Sequence, residues 1–139
     1  MQHMMRSQGD EARILQPFAS AMTDVTGFGL AGHLMAICRA SGVAAILDLA
    51  AIPAYCGAEA LAEAGVRSTI HAANKEAAPV ASADGAKGVL LHDPQTTGGF
   101  LAAVPEKDVH AVLDAFAEGG MEAFVIGQLQ DGPAGIRCL

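Results

Sequence analysis

The apolar and polar positions of this chain fall into short blocks whose spacing changes from one block to the next. Apolar residues three or four positions apart are typical of helices, while alternating positions and short apolar runs are typical of strands. The predicted helices cover residues 10–16, 30–41, 57–65 and 105–118, with a helical turn at 72–78. The predicted strands cover residues 20–25, 43–49, 88–92, 99–104 and 122–129.

This order of elements predicts an α+β fold of the layered α/β type, a mixed β-sheet covered by helices. Two consecutive strands, 88–92 and 99–104, are expected to form a hairpin around the sequence DPQTTG. Residues 79–88 are small, polar and glycine-bearing, so they predict a surface loop rather than a domain boundary. The sequence QDGPAG near the end of the chain predicts a terminal turn.

Composition and charge narrow the class of protein. With 139 residues, of which 52% are hydrophobic and 17% charged, the chain is predicted to be one folded domain. Its formal net charge of −7 argues against a nucleic-acid partner, which normally requires a basic surface. No apolar run approaches the roughly 20 residues of a membrane span. Three scattered cysteines favour reduced thiols, so a cytoplasmic location is expected.

The sequence TDVTGFGLAGHL carries the first candidate chemistry. Asp24 lies near the end of a predicted strand, and the turn after it opens a helix, whose free N–H groups favour anions. A carboxylate beside such donors favours Mg²⁺ shared with phosphate oxygens. Gly27 and Gly29 would permit close approach to a ligand or a positive φ. Alternatively, Asp24 and Thr26 only cap the turn or the helix, and the residues alone leave both possibilities open.

The sequence DPQTTGG, residues 93–99, is the second candidate. Asp-Pro begins a turn and Gly-Gly permits a sharp reversal, so a plain connection between strands explains most of it. Gln95, Thr96 and Thr97 add hydrogen-bonding side chains that a minimal turn does not require. Ligand contact through Asp93, Gln95 and Thr96 is therefore a second possibility.

The remaining polar residues indicate no catalytic centre by their spacing. His33 lies within a predicted helix, where a buried and hydrogen-bonded imidazole is expected, and Cys38 lies on its apolar face. The other histidines share no metal-ligand spacing, and neither a Walker A motif nor a nucleophile elbow occurs.

Three sequences, MTDVTGFGLAGHL, LLHDPQTTGGFLAAV and VIGQL, together resemble the C-terminal domain of selenophosphate synthetase (selenide, water dikinase). The resemblance runs from about Ala21 to Leu129 and includes AGVRSTIHAANK between the motifs. It implies the C-terminal domain fold of the aminoimidazole ribonucleotide synthetase-like superfamily. The family makes selenophosphate from selenide and ATP with Mg²⁺, releasing AMP and phosphate.

The resemblance also implies roles for individual residues and partners. Asp24 corresponds to the family's metal-binding aspartate across an interdomain cleft. Asp24 is the one position carried over from the family. From their residue types alone, Thr26, Gly27 and Gly29 are candidate cofactor contacts, and Asp93, Gln95 and Thr96 are candidate substrate contacts. The implied partner is an N-terminal ATP-binding domain within a parent enzyme that is a homodimer.

The departures from the family pattern concern the missing catalytic segment. Nothing in this chain resembles the family's reactive Cys and Lys segment, and Thr97 stands where the motif usually has serine. A fragment that is inactive alone is therefore expected, with residues 1–20 as a lead-in, 21–130 as the domain and 131–139 as a tail. The alternatives are a stand-alone binding or regulatory module, and the C-terminal domain of a related ATP-dependent enzyme.

Overall fold

A computed structural model describes residues 8–139, so residues 1–7 of the predicted lead-in lie outside the described part. The helices are α1 (Gly9–Leu15), α2 (Gly29–Ser41), α3 (Ala58–Glu63), α4 (His71–Ala77), α5 (Gly85–Leu90) and α6 (Val109–Glu118), the last preceded by a 3₁₀ turn at Glu106–Asp108. The strands are β1 (Ala21–Asp24), β2 (Val43–Leu47), β3 (Val80–Ala81), β4 (Phe100–Ala103), β5 (Gly127–Asp131) and β6 (Gly135–Cys138).

The strands form two sheets. Strands β1 and β4 pair antiparallel, while the larger sheet has the order β3-β6-β2-β5. In the larger sheet β2 runs parallel to β6 and antiparallel to β5, so the sheet is mixed. The predicted α+β class with a mixed, helix-covered sheet is confirmed.

Helix α2 forms the centre of the main core. It begins at Gly29 and ends before Gly42, whose φ of 66° is a left-handed helix stop. Its buried face carries Leu34, Met35 and Cys38, which pack in one cluster with residues of β2 and β6. The predicted position of Cys38 in the core is confirmed, because its side chain is fully buried.

A second, smaller core lies beside the two-stranded sheet. Leu15 of α1 packs with Val112 and Phe116 of α6, and Phe100 of β4 lies against them. Helix α6 thus buries its apolar face against α1 and β4. Phe100 and Ala102 of β4 pack against this cluster, while Leu101 packs in the main core, so the two-stranded sheet lies between the two cores.

The predicted strand at residues 88–92 is wrong, because this segment belongs mainly to α5. A short apolar run fits a helix or a strand equally well by periodicity alone. Tertiary packing favours the helix, since α5 packs against α3. The close Ala83 carbonyl, only five residues earlier, explains why position 88 is glycine. The DPQTTGG loop consequently joins a helix to β4, and the expected hairpin is absent.

The last part of the chain also differs from the prediction. The strand expected at 122–129 begins only at Gly127, opposite Leu47, where β2 ends. A Cβ at Gly127 would overlap the Ile46 carbonyl, so this crossing requires glycine. Strand β6 was not predicted, and its partner β3 lies within the segment expected to be a loop at 79–88.

Candidate functional site

Asp24 is the last residue of β1, directly before the glycine-rich turn. Its backbone pairs with Phe100 of β4, which fixes the carboxylate at the end of the two-stranded sheet. The side chain is exposed, and no hydrogen bond or ion pair to its carboxylate occurs within residues 8–139. An anionic oxygen donor therefore faces solvent at the position where the sequence placed a metal ligand.

The turn after Asp24 is held by its own hydrogen bonds. The Thr26 backbone N–H donates to His33 Nε2 at 3.0 Å, and the Gly29 N–H donates to the Thr26 carbonyl at 3.0 Å. Because His33 Nε2 accepts, its ring proton lies on Nδ1. These two N–H groups are thus already used inside the fold, which leaves fewer free donors for an anion than the sequence suggested.

The capping alternative for Asp24 and Thr26 is not what the structure shows. The residue that precedes α2 as its N-cap is Phe28, and it makes no side-chain capping bond. The Thr26 hydroxyl lies 3.2 Å from His33 Nε2, so it contacts the imidazole of α2. Among the residues of this loop that are described, neither candidate side chain satisfies a free N–H of the helix.

The two glycines of the turn have different roles. Gly29 has a φ of 69°, and a Cβ there would lie 2.7 Å from the Leu91 carbonyl oxygen. Gly29 therefore permits close contact with the chain's own second loop. Gly27 does not have a positive φ, which corrects one of the two reasons expected for it, and a Cβ there would meet nothing within 4 Å.

The second candidate loop lies directly against the first. The Gly98 N–H donates to the Val25 carbonyl at 2.9 Å, and the Gln95 N–H donates to the Thr26 carbonyl at 3.1 Å. The Val25 N–H in turn donates to the Gly99 carbonyl at 2.9 Å. The structure thus brings the two sequence motifs together through backbone bonds, although almost 70 positions separate them in the chain.

The three candidate side chains of the second loop differ in their hydrogen bonding and solvent exposure. Gln95 Nε2 lies 3.3 Å from the Asp93 carbonyl oxygen and 3.3 Å from its Oδ2, so these two side chains are linked within the loop. Both are half-buried, whereas Thr96 is exposed at the surface. Thr96 is therefore the most accessible of the three predicted substrate contacts.

Asn74 is a site residue that the residue patterns did not single out. It lies on α4 and is 5% exposed. Its side-chain NH₂ donates to the Gly27 carbonyl at 2.9 Å and to the His92 carbonyl at 3.1 Å. The Gly27 carbonyl belongs to the first candidate loop and the His92 carbonyl directly precedes the second, so one amide links the two loop regions. The only sequence signal for it was an asparagine, a poor helix former, in the predicted helical turn.

His71 and His92 form a second unforeseen pair beneath the loops. His92 is 2% exposed, and its Nε2 donates to the Ala78 carbonyl at 3.0 Å, because a carbonyl can only accept. The two imidazole rings meet edge to face with centroids 5.8 Å apart. The Nδ1 atoms of both rings are buried, and neither has a hydrogen-bond partner within residues 8–139.

The surroundings of His71 disfavour its charged form. Burial lowers the pKa of His71 below its ordinary value of 6.5. Neighbouring basic groups lower the pKa further, namely His92, Arg67 and Lys75. The Asp93 carboxylate acts in the opposite direction. His71 is therefore a neutral imidazole at neutral pH, electrostatically linked to a residue of the second loop.

The described residues contain no complete metal site, and their two buried thiols are not activated. Within residues 8–139, no three His, Cys, Asp or Glu side chains lie together where they could hold a metal ion. Burial raises the pKa of the Cys38 thiol, and burial together with Asp84 raises that of Cys138. No helix in the same part of the chain is both long enough and apolar enough to cross a membrane.

Comparison with known families identifies the domain. Residues 2–137 match the family described as "AIR synthase related protein, C-terminal domain". The chain belongs to this family. The match covers both candidate loops, so the domain that brings Asp24 beside the DPQTTGG loop is an AIR synthase related C-terminal domain.

Several relatives of this AIR synthase related domain are selenide, water dikinases. The chain is 40% identical over 118 residues to that of Pseudomonas straminea, covering 81% of this chain and 33% of the relative. It is 38% identical over 122 residues to that of Dechloromonas aromatica, covering 84% and 35%. It is 41% identical over 124 residues to that of Burkholderia pseudomallei, covering 85% and 35%. The chain thus spans about a third of the length of these curated relatives, and the resemblance drawn from the motifs is confirmed.

A solved structure shows the same fold. The crystal structure of thiamine-monophosphate kinase from Stenotrophomonas maltophilia superimposes with a TM-score of 0.57 at 20% sequence identity. The superposition covers 88% of this chain and 32% of that one. At this identity the likeness concerns the fold alone.

Proposed function

We propose that this chain is the C-terminal domain of a selenide, water dikinase, which makes selenophosphate from selenide and ATP and releases AMP and phosphate. One observation carries the proposal: the exposed carboxylate of Asp24 stands without a protein partner among the described residues, beside the DPQTTGG loop. Identities of 38–41% to enzymes of that name support the assignment.

The Asp24 carboxylate is a suitable ligand for Mg²⁺. Mg²⁺ takes hard oxygen ligands, commonly one or two carboxylates together with phosphate oxygens and water. When bound, the ion would neutralise phosphate charge and orient the phosphates. Since one carboxylate leaves the ion mostly hydrated, the remaining ligands would come from the N-terminal ATP-binding domain of a parent enzyme and from ATP.

The other proposed contact residues differ in how accessible they are to a ligand. Gly27 has open space above its Cα and Thr96 is exposed, so these two positions are available to cofactor and substrate. The backbone leading into the second loop occupies the space beside the Cα of Gly29. Gly29 therefore shapes the turn rather than contacting a phosphate. Thr26, Asp93 and Gln95 are engaged within the loops and would act mainly by holding them.

A chimeric enzyme tests the proposal without the rest of the natural protein. In it, this chain replaces the segment that it matches in the Pseudomonas straminea enzyme, and ATP consumption and AMP release are measured with and without selenide. Selenide-dependent ATP consumption is expected. A chimera that melts cooperatively but consumes no ATP with selenide would overturn the assignment and favour a binding or regulatory module.

We further propose that the parent enzyme is a cytoplasmic homodimer and that this chain alone is inactive. The division into a lead-in at 1–20, a domain at 21–130 and a tail at 131–139 stays a prediction. The pairing of β6 with both β2 and β3 does not favour it for the tail.

A further inference from the structure

We propose that Asn74 is the positioning residue of this site, a side-chain brace that fixes the Asp24 loop against the DPQTTGG loop. The inference rests on the proposed function for its catalytic meaning, but its structural part can be tested separately. Within residues 8–139, Asn74 forms no hydrogen bond with Asp24 or Asp93. It acts through two main-chain carbonyls, that of Gly27 in the first loop and that of His92 at the entry to the second.

The chemistry of the contact fixes the orientation of the amide. Both atoms facing the side chain are carbonyl oxygens, which only accept hydrogen bonds. The Asn74 NH₂ group must therefore point at them, and its two N–H bonds match two acceptors. Aspartate at this position would be almost isosteric but would offer only acceptors when ionised, so it would repel both carbonyls.

The location of Asn74 in the fold explains why it can act as a brace. Helix α4 packs against α2, which follows the first loop, and Asn74 projects from α4 between the two loops. The Gly27 carbonyl lies three residues after Asp24, and the His92 carbonyl directly precedes Asp93. The Asn74 side chain, from a third element, thus fixes the turn of the first loop at Gly27 and the entry to the second loop at His92.

Asn74 has no better explanation as a packing residue. Asparagine is a poor residue for the interior of a helix, and a buried amide is favourable only when it is hydrogen-bonded. An apolar residue would fill the same space but leave the Gly27 and His92 carbonyls without this donor. The presence of an amide here is therefore explained by the two loops that it joins.

Hydrogen exchange of the 139-residue chain tests the brace directly. The Gln95 and Gly98 amides donate across the two loops, so their exchange reports on loop separation, whereas amides of β2 report on global unfolding. In Asn74→Asp we expect exchange at Gln95 and Gly98 to accelerate at least about tenfold more than exchange in β2. Asn74→Ala removes the donor without adding a charge and is the second variant if Asn74→Asp does not fold.

A matched control separates positioning from loss of stability. Ile136→Val removes one methyl group from the buried centre of β6, far from both loops in the hydrogen-bond pattern. It should accelerate hydrogen exchange of the loop amides and of the β2 amides to the same extent. Equal acceleration of Gln95, Gly98 and β2 in the Asn74 variants would overturn the inference.

The chimeric enzyme gives the functional half of the test. Asn74→Ala should lower kcat and raise the Mg²⁺ concentration needed for half-maximal activity, while Ile136→Val at a temperature well below melting should change neither. An active chimera in which Asn74→Ala changes neither quantity would contradict the positioning role. If the unsubstituted chimera is inactive, the proposed function fails, and the exchange experiment still decides whether Asn74 braces the loops.

Discussion

Asp24 can be substituted in a way that separates metal binding from folding. Its carboxylate is exposed and makes no hydrogen bond or ion pair within residues 8–139, so Asp24→Asn should leave the melting temperature of the chain within about 2 °C. As a proposed Mg²⁺ ligand, the same change removes an anionic oxygen and should lower turnover of the chimera at least about tenfold, or about 1.4 kcal/mol. Unchanged turnover together with a lowered melting temperature would assign Asp24 to the fold.

Gly29 and Gly42 have nearly the same backbone conformation in different surroundings. Gly42 has a φ of 66° and open space above its Cα, so Gly42→Ala should cost only the left-handed strain of about 1–2 kcal/mol. Gly29→Ala adds an overlap with the Leu91 and Asp93 carbonyl oxygens, so it should cost more than about 2 kcal/mol. Urea unfolding of the two variants measures the difference. Equal losses in the free energy of unfolding would show that the second loop moves to accommodate the new methyl group.

His71 predicts a pH dependence of stability. Because its folded pKa is lowered by burial, the unfolded chain takes up a proton more readily below the ordinary value of 6.5. The contribution of neutral His71 to the free energy of unfolding is therefore fully present above pH 6.5. It is lost as the pH falls through the lowered pKa of the folded state. His71→Gln should therefore reduce the loss of melting temperature between about pH 7.5 and about pH 5.5.

The exposed His110 of α6 supplies the control for that experiment. The variant His110→Gln removes an imidazole that is not buried, and it should keep the pH dependence of the unsubstituted chain. If His71→Gln and His110→Gln give the same pH profile as the unsubstituted chain, burial of His71 does not contribute to acid sensitivity.

At the scale of elements, β6 decides whether the larger sheet holds together. It lies between β2 and β3, and its Ile136 and Cys138 side chains are buried in the main core. Deleting residues 135–139 would expose one edge of β2 and leave β3 without a partner. The shortened chain should lose cooperative thermal unfolding, as measured by circular dichroism.

The side chain of the final residue provides the matched comparison for this deletion. Leu139 is 81% exposed, although its N–H donates to the Leu47 carbonyl, so Leu139→Ser keeps the backbone bond and should melt almost normally. A deletion variant that melts cooperatively near the temperature of the full chain would show that the predicted tail is dispensable.

At the scale of the whole molecule, the proposed site is a surface with one anionic ligand and two loops. The two thiols that are buried are not activated, and no three metal-ligating side chains meet within residues 8–139. We therefore expect the purified 139-residue chain to release no AMP above background from ATP with selenide and Mg²⁺. Measurable release by the pure chain, absent in Asp24→Asn, would contradict the proposal that this domain needs a partner domain.

The sequence by itself determined the features that depend on neighbouring residues. Helix α2 and its stop at Gly42 follow from apolar spacing and a left-handed glycine, and α6 follows from one apolar face after Pro105. The position of Asp24 at the end of a strand was likewise local information. The motifs DVTGFG and DPQTTGG were enough to indicate the family, which the comparisons confirm.

Only the tertiary structure decided what depends on distant partners. Residues 88–90 form part of helix α5, which packs against the remote helix α3, and β6 is a strand because β2 and β3 flank it. The contact of Asn74 with both loops joins positions 27, 74 and 92, which no local pattern connects. Hydrogen bonds between remote segments depend on how the helices and sheets pack, so local periodicity carries no signal for them.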